Sequence, residues 1–204
     1  MGSSGKKPAT YADLEAAPPH LVAEIIDGEL LTHPRPSPRH AASAASLTEA
    51  IAGPFQKGRG GPGGWVFFAE PELRLGPHFV VPDVAGWRRA RLSGYPETNY
   101  FELAPDWVCE VLSVATERHD RGGKRRIYAE AGVGHLWLID PRFQLLEAFA
   151  LSDGRWSLVG TWQADEIANV PPFEAIALPL ADLWPLDPPL GFHESPQHLF
   201  AGDR

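Results

Sequence analysis

The sequence predicts an α/β fold, a mixed β-sheet flanked by helices, and three observations carry that reading. The 204 residues include 20 glycines and 21 prolines, too many breakers for a helical bundle and suited to short strands joined by turns. Between about 106 and 139 an apolar strand, a helix and a second apolar strand follow one another, after a series of short strands. That order lays a helix against a sheet. Hydrophobic residues make up 44% and charged residues 22%, which excludes wholesale disorder, and the length suits one domain.

The elements follow in order. Thr10 and Asp13 have capping-box spacing, so a short helix starts at Thr10, and Pro18-Pro19 stops it. Val22 to Leu31 places two apolar runs around Asp27-Gly28, the mark of a β-hairpin. Ser37-Pro38 reads as an N-cap followed by proline at the first helical position, and the Ala-rich run to about Ala52 is helical. Residues 53–64, with six glycines and two prolines, read as a loop. Strands are expected at about 65–69, 72–75 and 79–87, then a surface segment over 88–105. Asp106 to Leu112 is a strand, His119 to Ala131 a helix closed by Gly132, and Leu136 to Ile139 a strand ended by Asp140-Pro141. Residues 144–150 and 155–162 form a hairpin around Ser152-Asp153-Gly154. The seven Trp are scattered and read as core or edge fillers. The expected organisation is a flexible stretch at 1–9, one domain over 10–185, with the hairpin as an N-terminal addition, and a tail over 186–204.

Composition excludes several classes. The single cysteine, Cys109, rules out a disulfide framework and any multi-cysteine zinc site. No run of about 18 apolar residues exists to span a membrane, and the first residues lack the pattern of a signal peptide. A cytoplasmic protein is expected. No P-loop, dinucleotide fingerprint or Gly-x-Ser-x-Gly motif occurs.

Carboxylates stand where apolar residues belong. In Trp107-Val108-Cys109-Glu110-Val111-Leu112 both faces are apolar except at Glu110. Burying an unpaired carboxylate there costs several kcal/mol or shifts its pKa upward, so Glu110 needs a cation or a metal. Glu24 shares a strand face with Val22 and Ile26 and poses the same question. Asp83 follows Pro82, which removes a ladder donor and marks a strand edge or break; an Asp there can turn into a cleft. Taken singly, each is more often an ion-pair partner or turn residue. If they converge, two of them suit Mg²⁺, which takes one or two protein carboxylates plus substrate phosphate. On the helix that follows, Asp120, Lys124 and Tyr128 share a face at i, i+4, i+8 spacing. Its plain reading is a surface Asp–Lys pair with Tyr128 in the core. Arg118, Arg121, Lys124, Arg125 and Arg126 make the neighbourhood locally basic, although the whole chain carries −8. Arg121 and Arg125, with His40, are candidates for contacting a substrate.

Several ordered pieces resemble the Uma family of restriction-endonuclease-like proteins, a bacterial branch of the PD-(D/E)xK nuclease superfamily. They are Glu24 to Leu30, Pro36 to His40, Val81-Pro82-Asp83-Val84, Glu110 to Ser113, the helix Asp120 to Tyr128, and Gly132 to Pro141. The resemblance implies a restriction-endonuclease-like core, with Asp83 and Glu110 as ligands of Mg²⁺ or Mn²⁺ and Glu24 as a further acidic member. The superfamily's Glu-x-Lys places lysine where this chain has Leu112; members of the family supply it from the next helix, where Lys124 matches. Ser113-Val114-Ala115-Thr116 stands where the family tends to have Ser-Pro-Ser-Thr. The activity so implied is metal-dependent hydrolysis of phosphodiester bonds in DNA, by a homodimer, with Glu24, Asp83, Glu110 and Lys124 as the catalytic set. A nuclease-fold binding module without catalysis, for nucleic acid or protein, and a hydrolase of small phosphorylated compounds are the competing readings.

Overall fold

A computed structural model describes residues 7–187. Of the expected flexible start and tail, residues 1–6 and 188–204 lie outside the described residues.

Helix α1 (Tyr11–Glu15) starts in the expected capping box, with the Thr10 N–H donating to Asp13 Oδ2 at 2.7 Å. Strands β1 (Leu21–Ile26) and β2 (Glu29–Pro34) pair antiparallel. Asp27 (φ 53°) and Gly28 (φ 78°) both take the left-handed conformation that a tight two-residue hairpin turn requires. Helix α2 (Pro38–Ile51) begins at Ser37, whose Oγ accepts the His40 N–H. The expected loop from 53 starts later, because α2 runs on through a π-helical turn, Ala52–Gln56. Phe55 is buried against Phe173, a contribution of about 1.5–3 kcal/mol that outweighs the poor propensity of Gly53-Pro54. Gln56 Oε1 also accepts the Phe67 N–H.

Next come β3 (Trp65–Ala69), β4 (Leu73–Leu75), β5 (His78–Val80) and β6 (Val84–Arg88). The single strand expected over 79–87 is two strands, broken at Val81-Pro82-Asp83 and belonging to different sheets. Strand β7 (Trp107–Val111) leads into α3 (Glu117–His119), a π-helical turn (Asp120–Lys124) and α4 (Arg125–Glu130). The continuous helix expected over 119–131 therefore carries a widened turn, at Gly122-Gly123. Strand β8 (His135–Asp140) follows, then the hairpin β9 (Leu145–Ser152) and β10 (Arg155–Gln163), the short pair β11 (Ile167–Ala168) and β12 (Leu178–Pro179), and a 3-10 turn, Leu180–Leu183.

The larger sheet has the order β10-β9-β8-β7-β6-β3, and within it only β7 and β8 run parallel. The smaller sheet has the order β2-β1-β5-β4. Strand β7 is central and covered on both faces, as its sequence requires. Trp107, Cys109 and Val111 face a core shared with α2 and the segment around Phe173. Val108 and Leu112 face a second core with Ile127 and Tyr128 of α4 and Ile26 of β1. Five of the seven Trp are buried. No helix among the described residues is long and apolar enough to cross a membrane.

Candidate active site

The break between β5 and β6 builds the site. Pairing between β6 and β7 ends at Val84 and Cys109, so the next N–H on that side of β7, at Val111, needs another acceptor. Asp83 Oδ2 takes it at 2.6 Å. The other oxygen, Oδ1, lies 3.2 Å from His40 Nε2 at the start of α2. On the other side of the break, Val81 donates its N–H to Glu24 Oε1 at 2.7 Å and accepts from Lys124 Nζ at 3.0 Å. Side chains thus replace the ladder where the backbone changes sheets.

Lys124 binds these parts together. Its Nζ lies 2.9 Å from Glu110 Oε1, 3.2 Å from Glu24 Oε1 and 3.4 Å from Asp120 Oδ1. Tyr128 donates its hydroxyl to Glu110 Oε1. Glu24, Glu110, Asp120, Lys124 and Tyr128 are all buried, so the Asp120–Lys124 pair is internal and not the surface pair of the plain reading. The π-helical turn keeps both its ends, Asp120 and Lys124, inward. Gly123 permits the close approach: a Cβ there would meet Ile26 Cγ2 of β1 at 3.2 Å.

Charge is unevenly distributed. Burial pushes the Glu24 carboxyl up, but the Lys124 ammonium and hydrogen bonds from His33 and Val81 overcome this and hold it at about 2. Burial dominates at Glu110. Lys124 opposes it, repulsion from Asp120, Asp83 and Glu24 adds to it, and the carboxyl stands well above its usual range. Asp120 is raised for the same first reason. Burial alone would depress Lys124, yet Glu110 and Glu24 hold it well above its usual value, so it stays charged. Three carboxylates stand within 3.4 Å of one ammonium.

The cluster forms the floor of a cleft of about 620 Å³, lined by Asp83, Glu110, Asp120 and Lys124 below and by residues 33–40, 112–116 and 141–142 at the sides. The turn after β7 keeps a closed shape with Val114-Ala115 at its tip, because Ser113 Oγ and Thr116 Oγ1 hydrogen-bond at 3.0 Å. Arg142 reaches the cleft while tied to Asp140 and Glu117.

Of the residues singled out in the sequence, Asp83, Glu110, Lys124 and His40 line this cleft and Glu24 lies directly behind Lys124. Arg121 and Arg125 do not join them. Arg121 pairs with Glu117 and Glu147, and Arg125 lies over the Phe149 ring at 4.3 Å; both turn towards β9. Three participants were not singled out for the site. Asp120 and Tyr128 were signalled only by their spacing to Lys124, and His33, 3.5 Å from Glu24, gave no signal in its alternating strand.

A divalent cation can be tested against this donor set. No group of three His, Cys, Asp or Glu side chains among the described residues is placed to hold a metal; Asp83 and Glu110 are two carboxylates that line the same cleft. Mg²⁺ asks for no more, since it keeps waters and takes substrate oxygens. Asp83 is partly open at the cleft, and the repulsion from Asp83, Asp120 and Glu24 that helps to raise Glu110 is what a cation would offset. The residues fit.

Comparison with known proteins agrees with the fold. A family model, Uma2, described as "Putative restriction endonuclease", matches residues 8–181. The structure is similar to the crystal structure of a protein from Anabaena variabilis described as a putative nuclease belonging to DUF820. That likeness has a TM-score of 0.68 and 24% identity, over 87% of this chain and 98% of that one; at this identity it speaks to the fold alone. No curated protein matches the chain.

Proposed function

The chain belongs to the Uma2 family, whose model is described as "Putative restriction endonuclease", and on that premise we propose that it is a metal-dependent endonuclease hydrolysing phosphodiester bonds in DNA. The observation that carries this reading is the meeting of Asp83, Glu110 and Lys124 at the floor of one cleft.

Asp83 and Glu110 would hold Mg²⁺ or Mn²⁺, which would neutralise charge on the phosphate and acidify a bound water. Lys124 stands beside Glu110 and, being charged, would orient the attacking water or stabilise charge developing on the phosphate. Glu24 holds Lys124 from behind and stays ionised to do so. His40 and Tyr128 are positioning residues: one is fixed to Asp83, the other to Glu110. Arg121 and Arg125 have no part in this scheme.

A second reading, a nuclease-fold binding module, is favoured by one observation: both oxygens of Glu110 already have protein partners, Lys124 and Tyr128. Incubating supercoiled plasmid with the protein separates the two. The nuclease reading expects nicking in Mg²⁺ or Mn²⁺ that chelator and Asp83→Asn both abolish. Plasmid retained on the protein and left intact under every metal condition supports the module.

A further inference from the structure

We infer that the strand entering this cleft is unpaired, so that the preferred substrate is single-stranded or locally opened DNA and not an intact duplex; the inference rests on the nuclease reading above. Three observations point the same way. The reacting groups are deep: Glu110 and Lys124 are each only 2% exposed. A phosphodiester must descend between the walls to reach them, and a lone flexible strand follows that path more readily than a duplex, which is broader and stiff.

The walls are of the wrong kind for a duplex exterior. Pro36, Pro38, Val114 and Pro141 line them. Val114 is 85% exposed at the tip of its turn, unsupported by any role in the core. A duplex turns sugar and phosphate outward and hides its base faces, whereas an unpaired strand offers base faces that apolar side chains can cover.

The cations are few and local. Arg35, Arg39 and Arg142 line the cleft; they are paired with Glu70, Asp187 and Asp140, and the first two still keep more than half of their side-chain surface exposed. Arg121 and Arg125 are turned away, and the chain as a whole carries −8. A duplex interface is broad and strongly positive. Three guanidiniums around one cleft suit the phosphates of a short stretch of single strand.

The test is binding of a fluorescent oligonucleotide, alone or annealed to its complement, followed by anisotropy with Ca²⁺ in place of Mg²⁺. The single strand should bind at least about ten-fold tighter than the duplex, and Val114→Asp should weaken it by about ten-fold, through the loss of one apolar cover and a negative charge added beside the strand. Leu158→Asp adds the same charge at an exposed position of the distant edge strand β10 and should change neither affinity. Arg39→Gln should lower the slope of log affinity against log salt by about 0.7, the single-strand value for one phosphate. Equal affinity for duplex, or equal losses in Val114→Asp and Leu158→Asp, would overturn the inference. So would a mononucleotide that binds as tightly as the oligonucleotide. Cleavage in Mn²⁺ is read separately. Duplex cut as fast as single strand sinks this inference and leaves the nuclease reading standing. A single-strand binding preference with no cleavage at all does the reverse.

Discussion

With its ammonium 2.9–3.4 Å from Glu110, Glu24 and Asp120, Lys124 cannot be removed without leaving buried anions uncompensated. Breaking a buried pair from one side typically costs about 3–5 kcal/mol. Lys124→Met is therefore expected to lower the denaturant midpoint substantially, where a surface pair would have cost about 0.3–0.5 kcal/mol. Cleavage by the fraction still folded should also drop by roughly 10²-fold or more. Arg125→Met is the contrast: its guanidinium covers Phe149, so a small loss of stability and unchanged cleavage are expected. Glu24 gives a pH test. Its folded carboxyl sits at about 2 against an ordinary 4.5. A lowered folded pKa contributes stability that is complete above about 4.5 and is lost as pH falls towards 2. Glu110 and Asp120 are raised, so they act in the opposite sense and gain from protonation. Urea melts from pH 6 to 2 should show Glu24→Gln losing stability to acid less steeply than the parent; parallel curves would deny that Glu24 is held ionised.

The two glycines of the π-helical turn differ in what surrounds them. A Cβ on Gly122 meets nothing within 4 Å, whereas one on Gly123 meets Ile26 Cγ2 at 3.2 Å. Gly122→Ala should leave stability unchanged or raise it by up to about 1 kcal/mol, through the restricted unfolded chain. Gly123→Ala should be the less stable of the two and should cleave more slowly, because the turn that carries Lys124 would be pushed off β1. Calorimetry of the pair decides, and equal melting temperatures would argue against a close fit there. Such features mark the limit of what can be read from sequence. The alternation along Trp107–Leu112 disclosed both faces of β7 and the anomaly at Glu110. Pro82 disclosed the break that frees Asp83, and Asp27-Gly28 the hairpin that carries Glu24. The widened turn was hidden, since one extra residue per turn is invisible in a pattern read at 3.6-residue spacing. The orientation of Arg121 and Arg125 was hidden too. It is set by Glu147 and Phe149 on a strand more than twenty residues away, and a run of basic residues says nothing of its partners. Tyr128 read as core, and its ring is buried; only the structure puts Glu110 at the end of its hydroxyl.

At the scale of the whole molecule the two sheets meet at the carboxylates, so metal and fold should be linked. Mn²⁺ binding to the folded form alone stabilises it by about 2.7 kcal/mol at a hundredfold excess over Kd, which for a domain of this size is a rise of about 5–10 °C in Tm. Asp83→Asn should abolish that rise, while the metal-free Tm changes little, since the repulsion of Glu110 that it relieves is set against the weakened bonds to Val111 and His40; an undiminished rise would exclude Asp83 as a ligand. The chemistry is divided unequally between chain segments. Glu24, Glu110 and Lys124 are buried and hold one another in place, and Lys124 also accepts the duty of satisfying the Val81 carbonyl. Asp83 is the more open group, with 16% of its side chain exposed. Selection for folding alone would therefore preserve the buried three whether or not a lineage kept the proposed cleavage. Among descendants of this sequence, intact Glu24, Glu110 and Lys124 would testify only to a stable protein; at position 83 an Asn could still accept the Val111 N–H, so an Asp kept there against Asn would say more about the chemistry than the buried three.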